Sequence, residues 1–271
     1  MRTAWQIFAC ATSGAAAAGD NVMWNAIYVM WLREVKRYLR SYSRIIGSLG
    51  QPLLFLLAFG YGFGGIFRAA GQGNYIQFLA PGVICMSIIF TAIFGGIQVI
   101  WDRQFGFLKE TLIAPVPRLG IMFGRTLGGA TVACIQGAIV LIITLFAGFQ
   151  PYSWFLVLPA FLVMLLIAVL FGALGLMIGS LLSDMQGFQL IMNFLVMPLF
   201  FLSGALFPLQ GLPAVMMWVV RADPLTYGVD ALRALLINVS AFPMTLDIGI
   251  LIGVAAVFLV LGSYFFSKIE V

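Results

Sequence analysis

The sequence predicts an all-α membrane protein with six transmembrane helices, an N-terminal amphipathic elbow helix and re-entrant helices before the last span. Of its 271 residues, 63% are hydrophobic and only 8% are charged, whereas a soluble domain carries about a quarter charged residues because water must wet its surface. The mean hydropathy is +1.10. Long stretches without a charge recur along the chain. Such stretches mark spans, because a charge at the centre of a transmembrane helix costs about 2.5–3.5 kcal/mol.

The charge-free stretches are long enough for six helices, since about 20 apolar residues cross roughly 30 Å of hydrocarbon. The predicted spans are residues 45–67, 78–101, 126–148, 154–182, 188–208 and 246–266. The charge-free stretch from Thr126 to Ser183 holds two of them, and Gly148-Phe149-Gln150-Pro151-Tyr152-Ser153 predicts the turn between the two. Tyrosines and tryptophans lie near the predicted edges, as in interfacial aromatic belts.

The distribution of basic residues predicts that both termini face the cytoplasm. Eleven of the 14 lysines and arginines fall on one side of the predicted spans, and this excess marks the cytoplasmic side. Residues 1–26 are predicted as a flexible cytoplasmic tail. Met1-Arg2 and the apolar residues after it faintly resemble a signal peptide. However, Gln6 interrupts the short apolar core, and cleavage would leave basic residues on the wrong side.

Residues 27–45 predict an amphipathic elbow helix rather than a span, because they carry six charges. The apolar residues recur every three or four positions: Ile27, Trp31, Val35, Tyr38, Tyr42 and Ile45. The basic residues form a second stripe: Arg33, Lys36, Arg37, Arg40 and Arg44. A helix with one apolar and one cationic face is expected to lie in the headgroup plane. A generic membrane anchor and a specific coupling role both fit this placement.

Residues 102–118 form a charged loop on the predicted cytoplasmic side that is too apolar for a solvated linker. Its apolar side chains are Phe105, Phe107, Leu108, Leu112 and Ile113. Exposed apolar residues beside charges indicate a short docked helix, and Pro115 and Pro117 would end it. Docking on a partner protein and packing against the helix ends are equally compatible with this pattern.

The region 203–243, between the fifth and sixth spans, predicts short re-entrant or interfacial helices. Its apolar piece Leu212–Val220 is too short to cross a bilayer, and three prolines divide the region: Pro208, Pro213 and Pro224. Asp230 and Arg233 are three residues apart, so they could pair on one helical face. An external gate and a cap without substrate contacts both fit.

Two sets of glycines have the spacing that lets helices approach closely. These are Gly120, Gly124 and Gly128, of which only the last lies within the third span, and Gly175 and Gly179 in the fourth. The glycine-rich run Gly60–Gly65 ends a transmembrane helix with no strand before it, so it does not predict a phosphate loop.

The residues that most chemistry needs are missing from the sequence. Histidine is absent, and the three cysteines, Cys10, Cys85 and Cys134, have no metal-ligand spacing. No Walker A motif occurs, no charge lies in mid-span, and no basic patch interleaved with aromatics predicts nucleic-acid binding. Asp102, Asp184 and Glu110 have no partner that the sequence identifies. A transporter of this kind would have to take its energy from another subunit.

Two blocks of residues, in order and spacing, resemble a known family. The first is Tyr75-Ile76-Gln77-Phe78-Leu79-Ala80-Pro81-Gly82, followed by Arg103, Gly106, Glu110, Leu112, Ala114-Pro115-Val116-Pro117 and Gly124-Arg125. The second is Ser203-Gly204, Phe207-Pro208, Leu212-Pro213, Asp223-Pro224-Leu225-Thr226-Tyr227 and Ala231-Leu232-Arg233. From about Trp31 to Lys268 the chain resembles type-2 permeases of ABC exporters, which include daunorubicin-resistance-like and nodulation lipo-oligosaccharide export permeases. The N-terminal tail is longer than this family leads us to expect.

The resemblance implies that residues 27–271 are one permease domain of a bacterial or archaeal cytoplasmic (inner) membrane. A second permease half, identical or related, would pair with it, and a separate ABC ATPase subunit would bind ATP and Mg²⁺; this chain would bind no cofactor. The ATPase contacts would come from the loop 102–118: Arg103, Gly106, Lys109, Glu110, Leu112 and Pro115. The translocation surface would include Phe90, Phe94, Asn193, Phe194, Phe200 and Phe201. The external gate region would include Pro208, Pro213, Pro224, Tyr227, Asp230 and Arg233.

The apolar, aromatic translocation surface favours a hydrophobic or amphiphilic substrate (a drug, a lipid or a lipid-linked glycan) over a polysaccharide. The alternatives are a polysaccharide exporter of the same family, and a secondary transporter or channel, which would be expected to carry intramembrane charges or broken helices. A membrane enzyme acting on lipids and an importer permease are further alternatives. Binding of an ATPase subunit separates the exporter from the secondary transporter, the channel and the enzyme.

Overall fold

The computed structural model describes residues 19–69, 74–106, 118–209 and 213–268. These residues form eleven helices, and no strand occurs among them. The helices are α1 Gly19–Leu39, α2 Tyr42–Gly62, α3 Gly64–Ala69, α4 Tyr75–Phe94, α5 Ile97–Gln104, α6 Arg118–Phe146, α7 Trp154–Leu181, α8 Met185–Leu202, α9 Ala214–Ala222, α10 Pro224–Ile237 and α11 Met244–Ser267.

Six helical segments of the described chain are long and apolar enough to cross a membrane. They are Tyr42–Gly62, Tyr75–Gln104, Gly120–Phe146, Trp154–Leu181, Met185–Leu202 and Met244–Ser267. The prediction of an all-α protein with six spans is therefore confirmed. The predicted turn between the third and fourth spans is also present, and Gly148 adopts there a φ of +98°, in the left-handed region that glycine enters without steric cost.

The N-terminal boundaries differ from the predicted ones. Helix α1 begins at Gly19, inside the segment 1–26 that was predicted as a tail, and residues 1–18 lie outside the described residues. It ends at Leu39, so the last part of the predicted elbow, from Tyr42 to residue 45, belongs instead to the first span. The exposed Arg44 is compatible with a span end, because a long basic side chain can reach the interface.

Helix α1 packs lengthwise on α6, and the spaced glycines of α6 make this possible. Gly120, Gly124 and Gly128 face Met23, Ile27 and Glu34 of α1, respectively. Farther along, Trp31 Nε1 donates to Thr131 Oγ1 at 2.9 Å, and the Tyr38 hydroxyl donates to Gln136 Oε1. The residue numbers rise together on both helices, so α1 and α6 run in the same direction.

This packing gives the predicted elbow helix a protein partner that the sequence did not indicate. The helix keeps contact with α6 over about four turns, so it runs along α6. That it lies in the headgroup plane stays a prediction. The prediction treated the apolar stripe as facing lipid, whereas its members Trp31 and Tyr38 bind α6.

The centre of the bundle is formed by α4 and α7. Most side chains of α4 from Tyr75 to Ile93 are buried. The C-terminal half of α7 is also mostly buried, and it packs against α4. The chain bends after α4 at Gly95-Gly96, where a Cβ on Gly96 would lie 2.0 Å from the Gly175 carbonyl oxygen. A Cβ on Gly179 would likewise lie 2.4 Å from the Gly96 carbonyl oxygen. The predicted close approach at Gly175 and Gly179 is thus confirmed.

Two short helices precede the last span. Pro213 is the N-cap residue of α9. Pro224 is at the start of α10, where a backbone N–H would have no hydrogen-bond partner within the helix, so proline costs nothing there. Asp223 caps α10 by accepting a hydrogen bond from the Leu225 N–H at 2.8 Å. Helix α10 packs on α4, α7 and α11. Most of its side chains are therefore buried.

Candidate coupling and translocation surfaces

The bundle has two ends that we name by their connections. The loop end carries the end of α5, the start of α6 and the turn between α7 and α8. The hairpin end carries the turn between α6 and α7 and the turn between α10 and α11. These names describe the chain and assume no side of a membrane.

The predicted coupling loop leaves the bundle at the loop end. Gly106 follows α5 with a φ of +77°, a conformation that favours glycine at this turn, and Arg103 is half-buried. The rings of Trp101 and Phe105 lie 5.6 Å apart, and both are at least half exposed. Gln104 Nε2 donates to the Ser183 carbonyl at 3.0 Å, which links the loop to the next turn. The other four predicted contacts, Lys109, Glu110, Leu112 and Pro115, lie outside the described residues.

Asp102 is the centre of a charge cluster that joins three helices at the loop end. Its Oδ2 accepts a hydrogen bond from Arg125 Nη2 of α6, and its Oδ1 accepts one from Arg33 Nη2 of α1 at 3.4 Å. Asp102 and Arg125 are 5% and 4% exposed, respectively. Sequence reasoning found no partner for Asp102, because its partners are 69 and 23 residues away.

The basic residues of the predicted elbow divide into two groups. Arg33 and Arg37 bind acids of the bundle, Asp102 and Glu34. Lys36, Arg40 and Arg44 are exposed. Contact of these three exposed residues with lipid headgroups stays a prediction.

The six predicted translocation residues do not form one surface in this chain. Phe90 and Phe94 are half-buried and stacked on each other, and Phe94 also meets Phe188 of α8 edge to face. Phe200 is completely buried, with its ring near Phe55 and Phe201. The structure therefore assigns Phe200 to packing. The exposed members lie on α8: Asn193, Phe194 and Phe201.

The predicted gate residues lie in a compact region around α10. Pro208 is half-buried, Pro213 is exposed, and the Tyr227 hydroxyl donates to the Arg221 carbonyl at 2.7 Å. Burial raises the pKa of the nearby Asp223 carboxyl to about 7, and the hydrogen bond from the Leu225 N–H acts in the opposite direction.

The suggested pairing of Asp230 with Arg233 is wrong: among the described residues, no ion pair joins them. Asp230 accepts hydrogen bonds from the N–H groups of Ala241 and Phe242, at 2.9 and 2.8 Å. Arg233 donates to the Gly204 carbonyl at 3.1 Å and lies over the Phe78 ring. The helical spacing was compatible with a pair. Instead, each side chain contacts backbone or ring atoms of another part of the chain.

The sequence matches the family described as ABC-2 type transporter over residues 25–237. This match covers α2 to α10 and most of α1, including the loop and the gate region. The chain belongs to the ABC-2 type transporter family. It is a transport permease, the membrane subunit of such a transporter, and a multi-pass membrane protein.

Three curated proteins illustrate its similarity to other members of the ABC-2 family. Inner membrane transport permease YadH of Escherichia coli is 28% identical over 235 residues, which cover 86% of this chain and 91% of YadH. Nodulation protein J of Rhizobium leguminosarum bv. trifolii is 28% identical over 229 residues, or 82% and 84% of the two chains. Nodulation protein J of Rhizobium meliloti is 26% identical over 251 residues, or 91% and 92%.

Proposed function

We propose that this chain is the membrane-spanning half of an exporter that is driven by a separate ATP-hydrolysing subunit. The observation that carries the proposal is the ABC-2 family match over residues 25–237, because members of an ATP-binding-cassette system divide transport and hydrolysis between parts. The loop 102–118 would be the contact with the ATPase subunit, which would hold ATP and Mg²⁺. A second permease half, identical or related, would complete the pathway.

The geometry at the loop end supports this role for the loop. The loop begins at α5 and ends at α6, and the charge cluster at Asp102 holds these two helices together. Trp101 and Phe105 present exposed rings at the start of the loop, and exposed aromatic residues beside charges are typical of protein interfaces. A push on the loop would therefore act on helices that are fixed to each other.

We propose further that the loop end and both termini are cytoplasmic, in the inner membrane. The support is the excess of lysine and arginine on that side of the spans and the inner-membrane name of the relative YadH. A cysteine placed at the exposed Ser240 of the hairpin end should react with an impermeant maleimide in intact cells. A cysteine at the exposed Ser183 should react only after the cells are made permeable.

The exposed side of α8 supports a hydrophobic or amphiphilic substrate. Phe194 and Leu190 are 84% and 72% exposed, and Asn193 lies beside them. A surface of this composition offers an acyl chain or an aromatic ring more contact area than it offers hydrogen bonds to a sugar chain. Two α8 surfaces facing each other across paired halves would form an apolar path with few polar groups.

Co-purification in mild detergent tests the proposed partner. The wild-type chain, purified from native membranes, should bring down a soluble ATPase subunit, and Glu110→Arg should lose it because a reversed charge would stand in the interface. Ser183→Arg is the control, since Ser183 is exposed at the loop end and lies outside the loop. It should retain the ATPase subunit.

The outcomes separate the parts of the proposal. Loss of the ATPase subunit with both variants would place the contact on the whole loop end rather than on the loop. Recovery of no ATPase subunit with the wild-type chain, in any mild detergent, would contradict the proposed energy source and favour a secondary transporter.

A further inference from the structure

The charge cluster at Asp102 lies where the loop leaves the bundle and returns to it. Asp102 lies on α5, just before the chain leaves for residues 107–117, and Arg125 lies on α6 about two turns after the chain returns. The ion pair between them therefore joins the two helices that flank the loop. The third member, Arg33, belongs to α1, which is far away along the chain.

Arg125 depends on Asp102 for its charge compensation. Its Nη2 binds Asp102, while its Nε and Nη1 have no partner within the part of the chain that the structure describes. Arg125 also lines a small cavity between α1, α4, α5, α6 and α7, together with Gln98 and Glu34. Glu34 is the other nearby carboxylate, but it binds Arg37. Asp102 is thus the acceptor that holds the buried Arg125.

We propose that Asp102 is a positioning residue for energy coupling: through Arg125 and Arg33 it makes α5, α6 and α1 move as one body when the loop is displaced. This inference rests on the proposed function, because it assumes an ATPase subunit that moves the loop. Coupling by rigid elements needs a connection that does not yield under load. A buried ion pair is suited to this, since breaking it leaves a charge without compensation.

Helix α1 has the contacts needed to follow such a movement. It lies against α6 at the three spaced glycines, and two side-chain hydrogen bonds continue this contact along the helix. Its exposed basic residues Lys36 and Arg40 face away from the bundle. A displacement of the loop would therefore reach the surface of the molecule through α1, as well as the interior through α6.

Distances between spin labels in the complete complex test the proposal. The native cysteines Cys10, Cys85 and Cys134 are first replaced by serine or alanine, and the permease and its ATPase subunit are placed together in lipid nanodiscs. One label pair joins Lys36→Cys on α1 to Trp101→Cys on α5. A reference pair joins Trp101→Cys to Ser240→Cys at the hairpin end. Both are measured without nucleotide and after trapping with ADP and vanadate.

The expected result separates the two pairs. In otherwise native protein the 36–101 distance should be single and unchanged by trapping, while the 101–240 distance changes. With Asp102→Asn, the 36–101 pair should show a second, nucleotide-dependent population. Asp184→Asn makes the same chemical change on an exposed acid of the loop end and should behave as wild type.

The contrary results are equally definite. A 36–101 distance that changes with trapping in otherwise native protein, or that stays single in Asp102→Asn, overturns the positioning role. If Asp102→Asn does not assemble, Asp102→Asn combined with Arg125→Met removes the ion pair without leaving a buried charge, and a single distance there overturns the proposal. A native protein that binds no ATPase subunit removes the proposed function and this inference together, a failure distinct from the others because it precedes any distance measurement.

Discussion

A Cβ placed on Gly124 of α6 would lie 2.8 Å from the Ile27 carbonyl oxygen of α1. The two helices thus meet backbone to backbone, which is the closest packing that helices achieve and which requires a small residue at the contact. Through this contact a helix with a cationic face becomes part of the bundle rather than a separate surface element.

Gly124→Ala should therefore displace α1 and destabilise the protein. The added methyl group meets a main-chain atom that cannot rotate away, and overpacking of this kind costs about 1–3 kcal/mol. Thermal unfolding in detergent should show a lowered midpoint, and Trp31 on α1 should report a changed environment by fluorescence. Gly129→Ala is the matched control on the same helix, since nothing lies within 4 Å of its Cβ position, and it should be neutral or stabilising.

The ion pair between Asp102 and Arg125 should show strong coupling in a double-mutant cycle. Asp102→Asn leaves a buried guanidinium uncompensated, and breaking a buried pair from one side costs about 3–5 kcal/mol. Asp102→Asn with Arg125→Met should cost less than Asp102→Asn alone, because the orphan charge is gone. Arg33→Gln should cost about 0–1 kcal/mol, since the side chain of Arg33 is 39% exposed. Additive effects in this cycle would contradict the arrangement.

Arg233 should stabilise the region around α10 through a backbone hydrogen bond and a ring contact. It donates to the Gly204 carbonyl at 3.1 Å, and its guanidinium carbon lies 3.9 Å from the centroid of the Phe78 ring. Arg233→Gln should reduce the free energy of unfolding by about 1.5–3 kcal/mol, the range for a hydrogen bond to a charged group. The exposed Arg221→Gln should change it by less than about 0.5 kcal/mol. An equal loss in Asp230→Asn and in the double variant would indicate the ion pair that the structure lacks.

Cysteine labelling should distinguish the exposed residues of α8 from the packed ones. In a cysteine-free protein, Asn193→Cys should react with a water-soluble maleimide when the complex is in lipid, because a translocation path admits water. Phe200→Cys should not react, since Phe200 is completely buried. Ile252→Cys on α11, which is 54% exposed, is the control for a side chain that faces lipid. If Asn193→Cys reacts as slowly as Ile252→Cys, this side of α8 does not line a path.

The six spans could be predicted from the sequence because the bilayer imposes a rule on each segment separately. A span needs about 20 apolar residues whatever its neighbours are, so the runs that became α6 and α7 and the turn at Gly148 were visible in the sequence alone. The glycine spacings also predicted close approaches, and Gly175 and Gly179 make them. What spacing did not contain was the identity of the partner helix, which for Gly124 is α1.

The charge cluster and the fate of the aromatic residues could not be predicted in the same way. Asp102 contacts Arg33, which is 69 residues away in the sequence. No local sequence pattern predicts a contact at that separation. Phe200 and Phe194 are six positions apart on one helix and have the same chemistry, yet one is buried and the other is 84% exposed. Inside a membrane protein, packing and lining use the same residue types, so burial must be seen in three dimensions.

A photo-crosslink from the loop end to the ATPase subunit in native membranes would test directly whether the loop end binds that subunit. A photoreactive amino acid replaces Phe105, which is 63% exposed at the start of the loop, and in a second protein it replaces Tyr152, which is 67% exposed at the hairpin end. We expect a crosslink from position 105 to a nucleotide-binding subunit and none from position 152. The absence of any such crosslink at 105, or its appearance at 152, would contradict the claim that this permease is driven through its loop end.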